Sequence, residues 1–275
     1  MTTNIGIVDT KKIIAAIKKS YGVDFIDYTL TMLRHRFVKA LDYYNFTVVD
    51  DFVDEISNNN ISFKELGDLL MIDTTEHFRD PSLWRELREN YLPDIGKAPG
   101  SKIWMAGISS GEELYSMMIL LKELNLKNAI RVVASCPSSV RIDRIKSGGS
   151  YNLKKIEVGE ANYKRLSGGY DFSDYYKIIA NKVEMNAELL EGVDINSINI
   201  SQETHHNSYR LIIFRNILIQ YNLPLYEKTI HKLIDCLTIG GYLIIGNRET
   251  LEHSEIGKKM QLVNRAEKIY RKRID

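Results

Sequence analysis

The segment 103–116 combines residues that could hold a charged small molecule. It reads as an apolar strand, a turn bounded by Gly107 and Gly111, and a helix start with two acids, Glu112 and Glu113. The G-x-x-x-G spacing differs from the G-x-G-x-x-G of dinucleotide sites, where a helix N-terminus meets a pyrophosphate. The pattern favours a ligand without phosphate, or else an ordinary α/β turn. S-adenosylmethionine fits, because glycines let the backbone approach it and a carboxylate in the first helical turn can face its ammonium and sulfonium charges.

Three other segments carry motifs with a known counterpart. They read TEHFRDP at 75–81, FRNILIQY at 214–221 and GGYLIIG at 240–246, the last followed by ETL at 249–251. With the W-x-A-G-x-S-S-G-E-E-x-Y-S segment they resemble, in the same order, motifs of the CheR family of chemotaxis protein methyltransferases, which esterify glutamate side chains on receptors. The resemblance implies S-adenosylmethionine as cofactor, S-adenosylhomocysteine as product, and a chemoreceptor or related signalling protein with glutamate-containing helices as partner.

The resemblance also implies a fold class. It is α/β, a class I S-adenosylmethionine-dependent methyltransferase with a Rossmann-like, mostly parallel sheet and an antiparallel last strand. The residue patterns agree, because residues 1–72 have helical periodicity and strands alternate with helices from about residue 100. We expect a small all-α N-terminal domain over 1–72, the methyltransferase domain over 73–275, and a small antiparallel β insertion at about 148–190. In some members of the family this insertion docks a receptor tail.

Capping residues and hydrophobic periodicity predict the individual elements. The expected helices are 11–20, capped by Asp9-Thr10 and ended by Gly22, one carrying Leu30, Leu33, Phe37 and Leu41, then 48–56, and 63–71 opened by a Ser62–Glu65 capping box. The expected strands are 102–106, 130–135, 193–196, 210–214, 242–246, 260–263 and 269–271. Residues 255–273 could equally form one basic amphipathic helix, and the resemblance favours strands there.

The resemblance assigns residues to the cofactor site. They are Thr75, His77, Arg79, Gly107, Glu112, Glu113, Cys136, Asn199, Ile200, Asn216 and Ile217. Glu112 and Glu113 cannot both face the ligand, since neighbouring helix positions point about 100° apart. We expect one of them to contact the cofactor and the other to be solvated or paired. His77 stands where the family has Phe, and a lone histidine is more often structural than catalytic.

Esterification of a glutamate needs little acid–base chemistry. With a reference pKa near 4.3 the attacking carboxylate is already ionised at pH 7. Catalysis would come from alignment and from removal of water. Arg79 is the candidate that orients the carboxylate, because a guanidinium can hold it at two points. The alternative for Arg79 is a surface ion pair with Asp80 or Glu76.

Two departures from the family pattern bear on activity. Cys136 stands where an acid accepts hydrogen bonds from the cofactor ribose, and Gln220 stands at the position of a catalytic Tyr near the transferred methyl group. The two changes leave a second hypothesis open, a catalytically impaired binding or scaffold protein that retains S-adenosylmethionine or S-adenosylhomocysteine.

Composition and local charge restrict the partners. The net charge of +1 argues against nucleic acid. A basic stripe of Arg34, Arg36 and Lys39 beside an apolar helix face could meet the acidic methylation region of a partner, or could be a solvated face. No signal peptide or membrane-spanning run is visible, so we expect a cytoplasmic protein, without direct membrane insertion, that is a monomer.

Cysteine and histidine spacing does not indicate a metal site or disulfides. Cys136 and Cys236 are expected to be reduced thiols. His205 and His206 are adjacent, which rarely suits chelation of one ion, and we interpret them as loop residues.

Overall fold

The computed structural model of the chain describes residues 5–71, 75–166, 169–198, 200, 208–252 and 254–273. The chain divides into two compact units, Met1–Ile72 with Leu218–Lys228, and Asp73–Ile217 with Thr229–Asp275. The helices are α1 (Ile7–Tyr21), α2 (Leu30–Tyr43), α3 (Val49–Ser57), α4 (Phe63–Leu70), α5 (Pro81–Glu86), α6 (Leu92–Lys97), α7 (Glu112–Glu123), α8 (Ser139–Lys146), α9 (Leu153–Tyr163) and α10 (Leu223–Asp235). The strands are β1 (Ser101–Met105), β2 (Ile130–Ser135), β3 (Tyr151–Asn152), β4 (Tyr176–Ile179), β5 (Lys182–Met185), β6 (Asp194–Asn196), β7 (Tyr209–Phe214), β8 (Leu237–Ile245), β9 (Met260–Asn264) and β10 (Ile269–Lys272).

The first unit packs α1 to α4 around one apolar core. Ile17, Phe37, Phe52 and Leu66, one from each helix, have no exposed surface. Their neighbours at helical spacing complete the buried stripe of each helix, as the sequence pattern predicts. The segment Leu218–Lys228 belongs to the same unit.

The start of α1 differs from the prediction. The helix begins at Ile7, four residues before the predicted first residue, and Gly6 rather than Asp9-Thr10 is its N-cap. The carboxylate of Asp9 accepts a hydrogen bond from the backbone N–H of Gly6 at 2.9 Å, so Asp9 acts inside the first turn. The cap prediction was therefore wrong. The predicted end is confirmed, since Gly22 has the left-handed φ of 72° that glycine adopts without strain.

The helix α4 starts at the predicted residue but lacks the predicted capping hydrogen bonds. The helix begins directly after Ser62, yet the Ser62 side chain makes no capping hydrogen bond. The capping box with Glu65 was thus wrong. Buried Leu66 and Leu70 attach α4 to the core, so packing fixes this short helix more than its cap does.

The second unit contains a seven-stranded sheet in the order β6-β2-β1-β7-β8-β10-β9. Neighbours from β6 to β8 are parallel, and β10 pairs antiparallel with both β8 and β9. The fold class is confirmed, as is the strand interpretation of the C-terminal region. β8 begins at Leu237, five residues before the predicted start, because the strand continues through Gly240-Gly241 with a register shift.

The strand order explains where a ligand can bind in this unit. From β1 the chain builds outward to β2 and β6, then returns to the other side of β1 as β7. The crevice at such a reversal, outside the carboxyl ends of the two adjacent strands, is the usual ligand position in α/β sheets. Here these ends are followed by Gly107 on β1 and by Asn216 and Ile217 on β7.

The insertion contains the predicted antiparallel sheet. Its strand order is β3-β5-β4, with both pairs antiparallel. It also contains α9, which the sequence analysis did not predict. Ile156, Gly159 and Tyr163 are the buried face of that helix, so α9 is part of the packing of the insertion rather than a surface appendage.

Candidate functional site

The turn between β1 and α7 leaves no room for side chains at its glycines. Gly107 has φ of 71° and Gly111 has φ of 96°, both in the left-handed region. A Cβ at Gly107 would collide with the side chain of Ile217 and would lie 3.1 Å from Phe214. One at Gly111 would lie 2.9 Å from Ile145. The turn therefore needs both glycines for close packing as well as for conformation.

Glu112, the first residue of α7, is a completely buried carboxylate. One oxygen accepts hydrogen bonds from Thr75 Oγ1 and Ser110 Oγ, each at 2.5 Å. The other accepts from Lys155 Nζ at 2.8 Å. Burial by itself would raise the pKa of Glu112, but His77, which acts only when it is protonated at low pH, together with Lys155 and the hydrogen bonds, lowers it more. Glu112 is ionised and has a cationic partner within the chain.

His77 lies beside this carboxylate without any hydrogen bond from its ring. It is completely buried, with its ring centroid 4.9 Å from Tyr151 at 80° and 5.5 Å from Phe172. Neither ring nitrogen has a partner among the described residues. Burial lowers the pKa of His77 to about 4, against a smaller raising effect of Glu112. Its imidazole is neutral at pH 7 and cannot serve as a cation there.

Glu113 turns away from Glu112 and pairs with Arg215. The Arg215 side chain has no exposed surface and its Nη1 lies 2.5 Å from Glu113 Oε1. Its Nη2 pairs with Asp80, and Nη1 also donates to the carbonyl of Arg79 at 3.4 Å. Both glutamates of the helix start are therefore paired within the chain, whereas we expected one to contact the cofactor and the other to be solvated or paired. Asp80, an expected alternative partner of Arg79, pairs with Arg215.

The segment 75–81 has a strained backbone that its surroundings hold. Phe78 and Asp80 have φ of 53° and 58°, which non-glycine residues rarely adopt. The Phe78 ring is completely buried, and its backbone N–H donates to Ser116 Oγ at 2.9 Å. The carbonyl of Arg79 accepts from Trp84 Nε1 at 2.9 Å. Backbone strain fixed by tertiary contacts is frequent at functional sites.

At the end of β7, a buried acid fixes the backbone. Asn216 has φ of 59°, and its N–H donates to Glu249 at 3.0 Å. The same oxygen of Glu249 accepts from the N–H of Gly246 at 2.6 Å. Glu249 therefore joins the carboxyl ends of β7 and β8 and fixes the backbone directly before Ile217, the residue that packs on Gly107.

The insertion is tied to α7 and to the turn by side chains from several elements. Tyr151 donates to the carbonyl of Ser110 at 2.8 Å. Deeper in the unit, buried Glu123 accepts hydrogen bonds from the hydroxyls of Tyr163 and Tyr175 and lies 3.0 Å from Arg88. Burial and this carboxylate raise the pKa of both tyrosines.

Other predicted residues lie as follows. Cys136 follows β2, is completely buried, and donates from Sγ to the carbonyl of Ser138 at 3.6 Å. Ile200 is buried, and its carbonyl accepts from Lys232 at 3.2 Å. Asn199 and the pair at 205–206 lie outside the described residues.

The predicted residues of the helical unit have partners of their own. Gln220 ends a 3₁₀ turn, and its carbonyl accepts from the N–H of Thr29 at 2.8 Å. On α2, Arg34 and Lys39 are exposed, whereas Arg36 is half-buried and donates to the carbonyl of Met71 at 3.2 Å.

Sequence reasoning missed several residues that shape this region. They are Ser110, Ser116, Tyr151, Lys155, Arg215 and Glu249. Arg215 had a signal, since it is a lone charge directly after the apolar strand β7. Among the described residues, no group of three His, Cys, Asp or Glu could hold a metal ion. No helix in the described part of the chain is long and apolar enough to cross a membrane.

Comparison with known proteins identifies relatives of this chain. The family model described as "CheR methyltransferase, SAM binding domain" matches residues 73–266. The chain is 27% identical to the putative methyltransferase Cher3 of Pseudomonas putida over 96% of this chain and 97% of the relative. It is 22% identical to the chemotaxis protein methyltransferase of Listeria innocua, covering 86% and 87%, and 23% identical to that of Borreliella burgdorferi, covering 91% of each.

Solved structures resemble it more distantly. The N-methyltransferase NodS from Bradyrhizobium japonicum WM9 in complex with S-adenosyl-L-homocysteine has 14% identity and a TM-score of 0.34, covering 62% of this chain and 63% of that one. A S-adenosylmethionine-dependent methyltransferase from Geobacter sulfurreducens in complex with S-adenosyl-L-homocysteine has 12% identity and a TM-score of 0.35, covering 70% and 59%.

Proposed function

The chain belongs to the CheR methyltransferase family, and we propose that it transfers a methyl group from S-adenosylmethionine to glutamate side chains of a chemoreceptor or related signalling protein. The segment 75–81 carries the proposal. It carries the T-E-x-F-R-D-P motif of the family on a strained backbone that Arg215 holds. It also places the hydroxyl of Thr75 against Glu112 at the glycine-bounded turn. The fold serves to keep this segment beside the carboxyl ends of β1 and β7.

The cofactor is S-adenosylmethionine, and the residues at the turn fit it. Gly107 lets the turn pack closely against Ile217 at the carboxyl end of β7. The hydroxyl of Ser109 is a buried polar atom without a partner among the described residues, as are both nitrogens of His77. Unpaired buried polar atoms are costly and are expected where a ligand supplies the partner. When bound, the cofactor supplies an electrophilic methyl group. We assign its surroundings to Thr75, His77, Gly107, Ser109, Asn216 and Ile217.

Cys136 and Gln220 remain departures from the family pattern. A completely buried thiol that donates to Ser138 offers no charged acceptor for ribose hydroxyls. A charge-assisted hydrogen bond is worth about 1.5–3 kcal/mol, so we expect weaker cofactor binding than a member with the acid would have.

The acceptor glutamate needs alignment more than activation. It is ionised at pH 7, so no residue has to remove a proton from it. We assign the alignment to Arg79, which is half-buried and whose backbone is fixed by Trp84 and Arg215. A guanidinium can hold the carboxylate at two points. The exposed Arg34 and Lys39 on α2 are the proposed contacts with an acidic partner helix, with Arg36 contributing only in part because it also holds Met71.

Transfer of labelled methyl from S-adenosylmethionine to cytoplasmic receptor fragments of the same organism tests the proposal. Release of labelled methanol by alkali identifies an ester. Arg79→Ala should lower the rate at least about 100-fold, because alignment is lost. Arg79→Lys should restore little, since a point charge does not replace a planar two-point clamp. Arg85→Ala removes an exposed arginine of α5 nearby and should stay close to wild type.

Two results would contradict the proposal in different ways. Equal labelling by wild type and Arg79→Ala would remove the role of this residue. Wild-type protein that binds the cofactor but labels no receptor fragment would favour a binding or scaffold protein, for which the buried thiol of Cys136 is the supporting observation.

A further inference from the structure

The insertion places a lysine ammonium beside Glu112 at the glycine-bounded turn. Lys155, in the first turn of α9, reaches Glu112 at the start of α7 with its ammonium 2.8 Å from the carboxylate. Its side chain is 32% exposed, whereas that of Glu112 has no exposed surface. Any molecule that approaches this end of the site from solvent therefore meets the ammonium of Lys155 before the carboxylate of Glu112.

The hydrogen bonds of Lys155 are incomplete. An ammonium group has three donors, and within the described part of the chain the carboxylate of Glu112 is its only hydrogen-bonding or ion-pairing partner. The other two donors have no partner among the described residues, and the side chain is partly exposed. The carboxylate of Glu112, in contrast, is already shared among Lys155, Thr75 and Ser110.

A second observation points to a ligand at the same place. His77, which is completely buried and close enough to Glu112 and Lys155 to sense both charges, has no hydrogen-bonding partner at either ring nitrogen among the described residues. Tyr151, whose ring packs on His77, donates to the carbonyl of Ser110 and so keeps the insertion against the turn. A ligand with an anionic group and further polar atoms would supply the missing hydrogen-bonding partners of both Lys155 and His77.

We propose that Lys155 binds the carboxylate of the methionine part of S-adenosylmethionine and S-adenosylhomocysteine, while Glu112 acts as the buried counter-charge that positions Lys155. This differs from the expectation that Glu112 faces the ligand ammonium. The inference depends on the cofactor part of the proposed function and not on the identity of the methyl acceptor. It makes the insertion a part of the cofactor site.

Binding of three ligands that differ at this end tests the proposal by calorimetry. S-adenosylmethionine has the carboxylate, decarboxylated S-adenosylmethionine lacks it but keeps the ammonium and sulfonium, and 5′-methylthioadenosine lacks the amino-acid part. Wild-type protein should prefer the first over the second by about tenfold or more, as expected for a charge-assisted hydrogen bond. Lys155→Met should abolish most of this preference and leave 5′-methylthioadenosine binding unchanged.

Lys154→Met is the matched control, because Lys154 precedes Lys155 on α9 and is exposed. It removes the same charge from the same helix and should leave the preference intact. Lys155→Arg should retain part of it. Binding of 5′-methylthioadenosine reports whether each variant still forms the site. The proposal also requires that the wild-type protein prefer S-adenosylmethionine over decarboxylated S-adenosylmethionine. This requirement can be tested even if a variant fails to fold.

Three outcomes would overturn the inference. One is a wild type that binds both charged ligands equally. Another is Lys155→Met weakening all three ligands by the same factor, which would mean a purely structural ion pair with Glu112. The third is tighter binding of S-adenosylmethionine to Lys155→Met, which would mean that Lys155 competes with the ligand ammonium. If the protein shows the expected ligand preference but methylates no glutamate, only the proposed methyl acceptor is refuted.

Discussion

Replacing Arg215 by Met tests whether its buried network holds the site together. The substitution keeps most of the side-chain volume but leaves Glu113 and Asp80 without their common cation. Breaking a buried ion pair by removing one partner typically costs 3–5 kcal/mol. Asp80 is 31% exposed and Glu113 13% exposed, so water takes over part of the lost interaction.

The expected loss is therefore near the lower end of that range. The buried Nε of Arg215 has no hydrogen-bonding partner among the described residues, which costs the wild-type protein folding free energy. Arg215→Met removes this cost. We expect the free energy of unfolding of the second unit to fall by about 3 kcal/mol. With a urea dependence of about 2–3 kcal/mol/M for a unit of this size, the unfolding midpoint should decrease by about 1 M.

Tryptophan fluorescence can follow this unit in the intact protein. The chain has two tryptophans, and both Trp84 and Trp104 are buried in the second unit. Arg210→Met, which removes a half-buried arginine from the same strand β7, is the control and should shift the midpoint little. Adding Asp80→Asn and Glu113→Gln to Arg215→Met removes the stranded charges and should recover most of the loss. A loss below about 1 kcal/mol, or no recovery in the triple variant, would refute the reasoning.

Two further predictions concern the turn and the buried histidine. Gly107→Ala should destabilise the protein by about 2–4 kcal/mol and impair cofactor binding, because the residue has φ of 71° and its Cβ would collide with Ile217. Gly100→Ala, with φ of 69° but open space, should cost only about 1 kcal/mol, and equal losses in thermal unfolding would contradict the crowding argument. Burial lowers the pKa of His77 from 6.5 to about 4, so below pH 6.5 the unfolded chain takes up a proton that the folded chain does not. Wild-type stability should therefore fall by about 2 kcal/mol from pH 7 to pH 5 relative to His77→Phe, and parallel curves for the two proteins would argue against a neutral buried His77.

The sequence predicted elements well where one local pattern decides them. The apolar strands β1, β2 and β7 lie within one residue of their predicted bounds, since central parallel strands are buried on both faces and read as continuous apolar runs. β8 was predicted too short because Gly240-Gly241 interrupts its pattern, although the neighbouring strands pair with it on both sides. α9 was missed because its buried face is short and includes Gly159. Glycine is needed there because a Cβ at this position would lie 2.9 Å from His77.

For the candidate site, the sequence indicated which residues carry charge but not which charges meet. Glu112 and Glu113 were recognised as alternatives, yet their partners Lys155 and Arg215 lie 43 and 102 positions away. Such pairings depend on tertiary contacts that no local periodicity encodes. The same holds for Glu249, whose buried carboxylate fixes two strand ends at once.

The position of the segment Leu218–Lys228 affects folding during synthesis and the result of proteolytic cleavage. The ring of Tyr221 packs edge-on against Tyr28 at 5.4 Å, and the two residues form a β-bridge within the helical unit. During synthesis the first 72 residues supply their own apolar core, but they gain the contacts of Leu218–Lys228 only after about 150 more residues have been made. For the same reason no single cleavage separates the two units. A fragment that starts at residue 73 keeps Tyr221 and loses Tyr28, and a fragment that ends at residue 72 does the reverse.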